Sequence, residues 1–173
     1  MAGSLEFIKS ATSTSATNSL QVTDCFSDKY DVYKVILQVD SVTQEAATET
    51  RLIDSGGSVI SAAEYDFAVQ FMTSTSAFSE GRATNHTNWR YTMYNEGSVG
   101  GFFVMYIFNP YDSSSYTFEQ HQMASHYLAG STSTLVARKA IGVHKVAEQI
   151  TGIEVTQPST RLENATLSVY GVK

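Results

Sequence analysis

Four histidines, His86, His121, His126 and His144, are the side chains in this 173-residue chain best suited to hold a metal or move a proton. Only His121 and His126 lie close in sequence. Their odd offset puts them on opposite faces of a continuous strand, whereas a metal pair on a strand needs one face, as at i and i+2. The spacing therefore assigns no metal ligands. Carboxylates such as Asp54, Glu64 and Asp66 are of the type that hydrolyse glycosidic bonds, work that needs two carboxyl groups roughly 5 to 9 Å apart. Nothing in their spacing singles out a pair, and solvated surface charge accounts for them. Gly97 to Gly101, "GSVGG", lacks the Gly-x-Ser-x-Gly pattern of a nucleophile elbow and no helix follows it. Its glycines suit a tight turn or bulge at a strand entry. No phosphate-binding or dinucleotide-binding glycine pattern occurs. No catalytic, cofactor-binding or metal-binding residue is assigned, and no enzyme is expected.

One segment has the chemistry to bind something. In "NWRYTMY", Trp89 and Tyr91 share a strand face and could stack on a sugar, with Asn88 and Arg90 supplying hydrogen bonds. The competing account places a lone tryptophan in the core, where its large apolar area dominates packing, and that account carries the greater weight.

The bulk composition says what kind of scaffold must position these residues. Hydrophobic residues make up 42% and charged residues only 16%, below the usual quarter. Hydroxyls fill the gap, with 22 Ser and 19 Thr beside 10 Tyr and 9 Phe. That mixture predicts a β protein with polar, uncharged loops and faces. The net charge is −6, and Arg138-Lys139 is the only adjacent basic pair. A nucleic-acid surface needs a basic stripe, so nucleic acid is excluded as a partner, and an anionic membrane is disfavoured. Cys25 is alone, which rules out an intramolecular disulfide and a multi-cysteine zinc site. It is expected to be a small buried hydrophobe near a strand end. The N-terminus lacks the pattern of a secretory signal, and the longest apolar stretch, Phe102 to Phe108, is too short for a bilayer. The expectation is a soluble protein made in a cytoplasm.

Periodicity then places the elements. Residues 1–19 read as an N-terminal extended arm or loop, and residues 20–173 as one β-sandwich domain. In "YDVYKVILQVDSV", Tyr33, Val35, Leu37 and Val39 form the inward face. Arg51 to Ile53 is a short strand, followed by a turn at Asp54 to Gly57. Tyr65, Phe67, Val69 and Phe71 share a face of the next strand, with a short helix conceivable before it. "SAFSEGRATNHTN" reads as loop. "FFVMYIF" is apolar on both faces and predicts a central, covered strand that stops near Asn109-Pro110. "YTFEQHQMASHYL" alternates weakly, and "AGSTSTLVARKAIG" reads as an exposed hairpin or loop. A strand around Ile150 to Val155 precedes a turn at Pro158. "ENATLSVYGVK" then closes a sheet, with Leu167 and Val169 inward and Gly171 marking a close backbone approach. The sum is an all-β, two-sheet antiparallel sandwich, jelly-roll-like, of about eight strands. Tyr33, Val35, Leu37, Val39, Phe103, Met105, Ile107, Ile153, Val155, Leu167 and Val169 are its expected core.

The ordered set of Tyr30 to Val39, Gly100 to Pro110, Ile150 to Val155 and Leu167 to Lys173 resembles small β-sandwich virion proteins and fibre modules of tailed, especially marine, bacteriophages. That resemblance implies a non-enzymatic structural protein on the exterior of a virion, a head-decoration or fibre-type subunit. The first clear strand starts at Tyr30, which leaves no room for a fibre shaft and favours a small free-standing subunit. Implied partners are other capsid or tail proteins and copies of itself, trimers above all. A host-surface glycan is the alternative partner, read by a carbohydrate-binding module of the tail. No cofactor is implied.

Overall fold

In the computed structural model, which describes residues 4–42, 46–75, 78–95, 100–129, 132–157 and 162–173, every regular element is a strand. In chain order they are β1 (Leu5–Ser13), β2 (Ser19–Val22), β3 (Val32–Val42), β4 (Ala46–Asp54), β5 (Tyr65–Thr73) and β6 (Ser79–His86). There follow β7 (Trp89–Asn95), β8 (Gly101–Phe108), β9 (Thr117–Ala129), β10 (Thr132–His144), β11 (Ile150–Thr156) and β12 (Leu162–Val172). They build an eight-stranded sheet, β1-β12-β3-β8-β9-β10-β5-β6, facing a four-stranded sheet, β2-β11-β4-β7. All pairings are antiparallel.

The inward faces are those the alternation predicts. Tyr33, Val35, Leu37 and Val39 on β3, Phe103, Met105 and Ile107 on β8, Ile153 and Val155 on β11, and Leu167 and Val169 on β12 are all buried. Register aligns them in rows across the large sheet: Leu167, Leu37 and Phe103 in one, Val169, Val35 and Met105 in the next. Leu52, Trp89 and Met93 close the core from the small sheet. An unpaired buried donor or acceptor is costly, and two buried tyrosines and the cysteine meet that cost with partners. Tyr33 donates its hydroxyl to Ser27 O (2.9 Å) and accepts from Ser27 N (2.8 Å). Tyr65 donates to Ile60 O (3.2 Å) and accepts from Leu52 N (3.1 Å), linking the segment after β4 to the start of β5. Cys25 lies buried just past β2, its thiol donating to Val22 O at 3.2 Å. Burial pushes that thiol up to about 12, so it has no thiolate character at neutral pH.

Several expectations need correction. There are twelve strands rather than about eight. The hydroxyl tract read as arm or loop begins inside β1, whose residues through Ser13 pair with β12. The loop read at "SAFSEGRATNHTN" contains β6, an edge strand with neither face buried, so it carries no hydropathy alternation. The hairpin or loop read at "AGSTSTLVARKAIG" is mostly β10. Its inner face mixes Thr134, Arg138 and His144 with Val136 and Ala140, while Leu135 and Ile141 point outward and are exposed, a mixed pattern that hides a strand. β8 is central, as expected, but it is not covered on both sides: Phe102 is 49% exposed. Gly97 and Pro158, read as turn formers, lie outside the described residues.

The chain's last strand is held on both sides, by β1 and by β3. Gly171 sits in the row of Tyr33 and Ile107, directly beneath the Tyr30 ring. A Cβ there would fall 2.4 Å from ring carbons of Tyr30, which is packed edge-on against Tyr33. Gly171→Ala is therefore expected to destabilise the protein by about 1–3 kcal/mol, the usual cost of overpacking. Urea unfolding followed by tyrosine fluorescence measures this, and an unchanged midpoint would contradict it.

Candidate functional site: the outer face of the large sheet

The segment read as a sugar platform does not form one. Trp89 is completely buried, its indole edge-on to Tyr65 with ring centroids 5.3 Å apart. β7 carries a bulge at Tyr91: Thr48 pairs with Met93 and Glu49 with Arg90, so Tyr91 and Thr92 are extra. Tyr91 sits at φ 67° within that bulge. Its ring turns into the space between the sheets, against Phe67 and Phe71. Asn88 is buried and donates to Glu49 Oε2 at 2.9 Å. Arg90 points to the outer face of the small sheet, 3.8 Å from the same carboxylate. The four residues are thus split among core, interior and a surface ion pair.

That surface is closed on itself. Across the small sheet, Gln21 donates to Glu154 Oε1 (2.9 Å) and Arg51 bridges Glu154 (3.7 Å) and Glu49 (3.6 Å). The ladder leaves Glu154 only 7% exposed. Its charges are spent on one another.

The outer face of the large sheet is built differently. Residues directly opposite in an antiparallel pair share a face, so the register reads out its rows. One runs Phe7, Tyr170, Lys34, Tyr106, Gln120, Ile141, Ala68 and Arg82 across all eight strands. The neighbouring row carries Val32, Phe108, Phe118, Val143 and Asp66. On the far side lie Val104, Gln122, Lys139, Gln70 and Glu80. Between these rows lies an open trough of about 780 Å³ floored by Phe108, Phe118, Ile141 and Val143, with Arg82, Thr84 and Gln120 on its lining. A narrower hollow of about 360 Å³ continues from it past Tyr106, Gln122 and Lys139. Phe118 is 47% and Ile141 61% exposed. An apolar floor with a few convergent amides and charges is the usual make-up of a ligand site, and both volumes fall in that range.

The interior behind the trough is polar and closed. Glu119 and His121 alternate with Phe118 and Gln120 on β9 and point inward, His121 Nδ1 lying 2.9 Å from Glu119 Oε2. Glu119 and Trp89 both press against Gly142 on β10. A Cβ there would lie 2.6 Å from Trp89 Nε1 and 2.7 Å from Glu119 Oε1.

Among the described residues, one cluster of three potential metal ligands forms, and histidine spacing gives no sign of it. His126 is exposed and His121 buried, on opposite faces as expected. His144 at the end of β10 meets Glu64 and Glu148, with the three ligand atoms within 4.8 Å of one another. His144 and Glu64 are 80 residues apart in the chain, beyond any spacing rule.

No family model matches the chain, and no curated protein matches it. Among solved structures it is similar to an exo-inulinase from Aspergillus awamori (10% identity, TM-score 0.44, covering 96% of this chain and 29% of that one). It is also similar to the marine PL-14 alginate lyase from Aplysia kurodai (6%, TM-score 0.35, 86% and 72% covered). A third is a galectin from Caenorhabditis elegans (11%, TM-score 0.36, 95% of each chain). The chain spans less than a third of the inulinase's length.

Because Gly142 lies under the trough floor and against Trp89, Gly142→Ala should cost about 1–3 kcal/mol by forcing the indole and Glu119 apart. Chemical denaturation tests this, and a variant as stable as the parent would show that the two side chains can move aside freely.

Proposed function

We propose that the protein is a non-enzymatic binding protein and that it holds a glycan on the outer face of the eight-stranded sheet. The observation that carries this is the contrast between the two outer faces. The small sheet's charged groups satisfy one another, whereas the large sheet presents the exposed ring of Phe118 beside Gln120 and Arg82 over an apolar trough. Sugars offer apolar C–H faces and rings of hydroxyls, which match aromatic stacking and amide or guanidinium hydrogen bonds on one surface. The strands from β8 to β6 span roughly 19 Å at about 4.8 Å per step, room for an extended chain rather than a single small molecule. The aromatic platform thus lies on β8, β9 and β10 rather than on β7.

A glycan array probed with the purified chain tests this. Binding should fall at least tenfold, about 1.4 kcal/mol, in Phe118→Ala and in Gln120→Ala, with thermal unfolding within a few degrees of the parent. The bound glycan should be recovered uncleaved. A blank array, or binding indifferent to both changes, would refute the assignment.

A second reading follows the resemblance to virion modules: a subunit docked on a larger particle of a tailed phage. It is favoured by Leu5 and Phe7, which are 48% and 57% exposed on the edge strand β1. Phe7 stacks edge-on against Tyr170 to extend the apolar area. Pull-down from purified virions should then depend on these two residues, and equal recovery with a Leu5→Ser, Phe7→Ser variant would contradict it.

A further inference from the structure

The geometry points to a divalent transition-metal site, of zinc type, formed by Glu64, His144 and Glu148 at one end of the sandwich. His144 Nε2 lies 3.3 Å from Glu64 Oε2 and 3.6 Å from Glu148 Oε1. Donors bound to one ion at about 2.0–2.1 Å in a tetrahedron stand roughly 3.3 Å apart, so both separations from His144 are close to those around such an ion, and the two carboxylate oxygens lie within 4.8 Å of each other. One imidazole and two carboxylates suit zinc, whereas calcium and magnesium prefer all-oxygen sets.

The ligands sit on a braced backbone. Lys145 N donates to Glu64 O at 2.9 Å, tying the end of β10 to the segment before β5. The His144 ring is completely buried and packs against Tyr65, centroids 5.0 Å apart, and Tyr65 is itself held by two hydrogen bonds. Glu148 comes from the turn between β10 and β11. The two glutamates are about one-third exposed, which leaves the fourth position of the ion open to water.

Two carboxylates face the imidazole, and Lys145 does not neutralise them: its Nζ turns away to Asp66 (2.9 Å) and Asn85 Oδ1 (2.6 Å). An ion here would join β5 and β10 of the large sheet to the turn leading into β11 of the small one. It would staple the two sheets, and this role is independent of the glycan face.

The test uses the full chain, stripped with a chelator and titrated with zinc chloride. Calorimetry should give one zinc per chain and the melting temperature should rise with zinc concentration, since a ligand of the folded state stabilises it by mass action. X-ray absorption should show one nitrogen with oxygens and no sulfur. Glu64→Gln and Glu148→Gln, both partly exposed and able to keep the fold, should each weaken zinc binding at least tenfold while leaving the metal-free melting temperature within a few degrees. Absence of binding would overturn the site. So would zinc binding unchanged in both variants, or calcium raising the melting temperature as far as zinc.

Discussion

The structure depends on the register among β12, β3 and β8. Inner rows of Leu167, Leu37 and Phe103, and of Val169, Val35 and Met105, are sealed against the small sheet. Side chains alternate with a period of two, so a slip of one residue would turn every one of them outward. Each such side chain is worth about 1.5–3 kcal/mol when buried, so the six together are comparable with a domain's usual margin of roughly 5–15 kcal/mol. The same register dictates what water sees. Once Val35 and Met105 face in, Lys34 and Tyr106 face out side by side, and so on across the sheet. The outer face is thus fixed by the demands of the core.

The two outer faces that result are chemically unlike. On the small sheet, Glu49, Arg51 and Glu154 lie close enough to neutralise one another, and Asn88 and Arg90 are drawn to Glu49. On the large sheet, rings and aliphatic side chains stay half-exposed while a polar pair, Glu119 with His121, is taken inside. Burying polar groups behind exposed apolar ones lowers stability, because the arrangement reverses the usual partition. That contrast is the physical basis of the proposal that a ligand sits over β8, β9 and β10.

How much of this could be read from the sequence follows from the same facts. β3, β8, β11 and β12 have uniformly apolar inner faces, so their phases and the eleven expected core residues were legible. β10 was not, because Arg138 and His144 face in and Ile141 faces out. β6 and the second half of β1 were hidden because these edge strands are mostly polar and bury no side chain fully, so their hydropathy shows little alternation. The sugar platform on β7 fails because both rings are taken inside: Trp89 fills the core and Tyr91 packs against Phe67 and Phe71. The trough and the Glu64, His144 and Glu148 cluster both require strands distant in sequence to become neighbours, information that only the topology contains.

The most direct test of the account is amide chemical-shift mapping of the folded chain titrated with a glycan that it binds. The account predicts shifts concentrated on β8, β9, β10 and β5, strongest around Tyr106, Phe118, Gln120 and Ile141, with β4, β7 and β11 undisturbed. Shifts confined to the small sheet or to the loops at either end of the sandwich would contradict it.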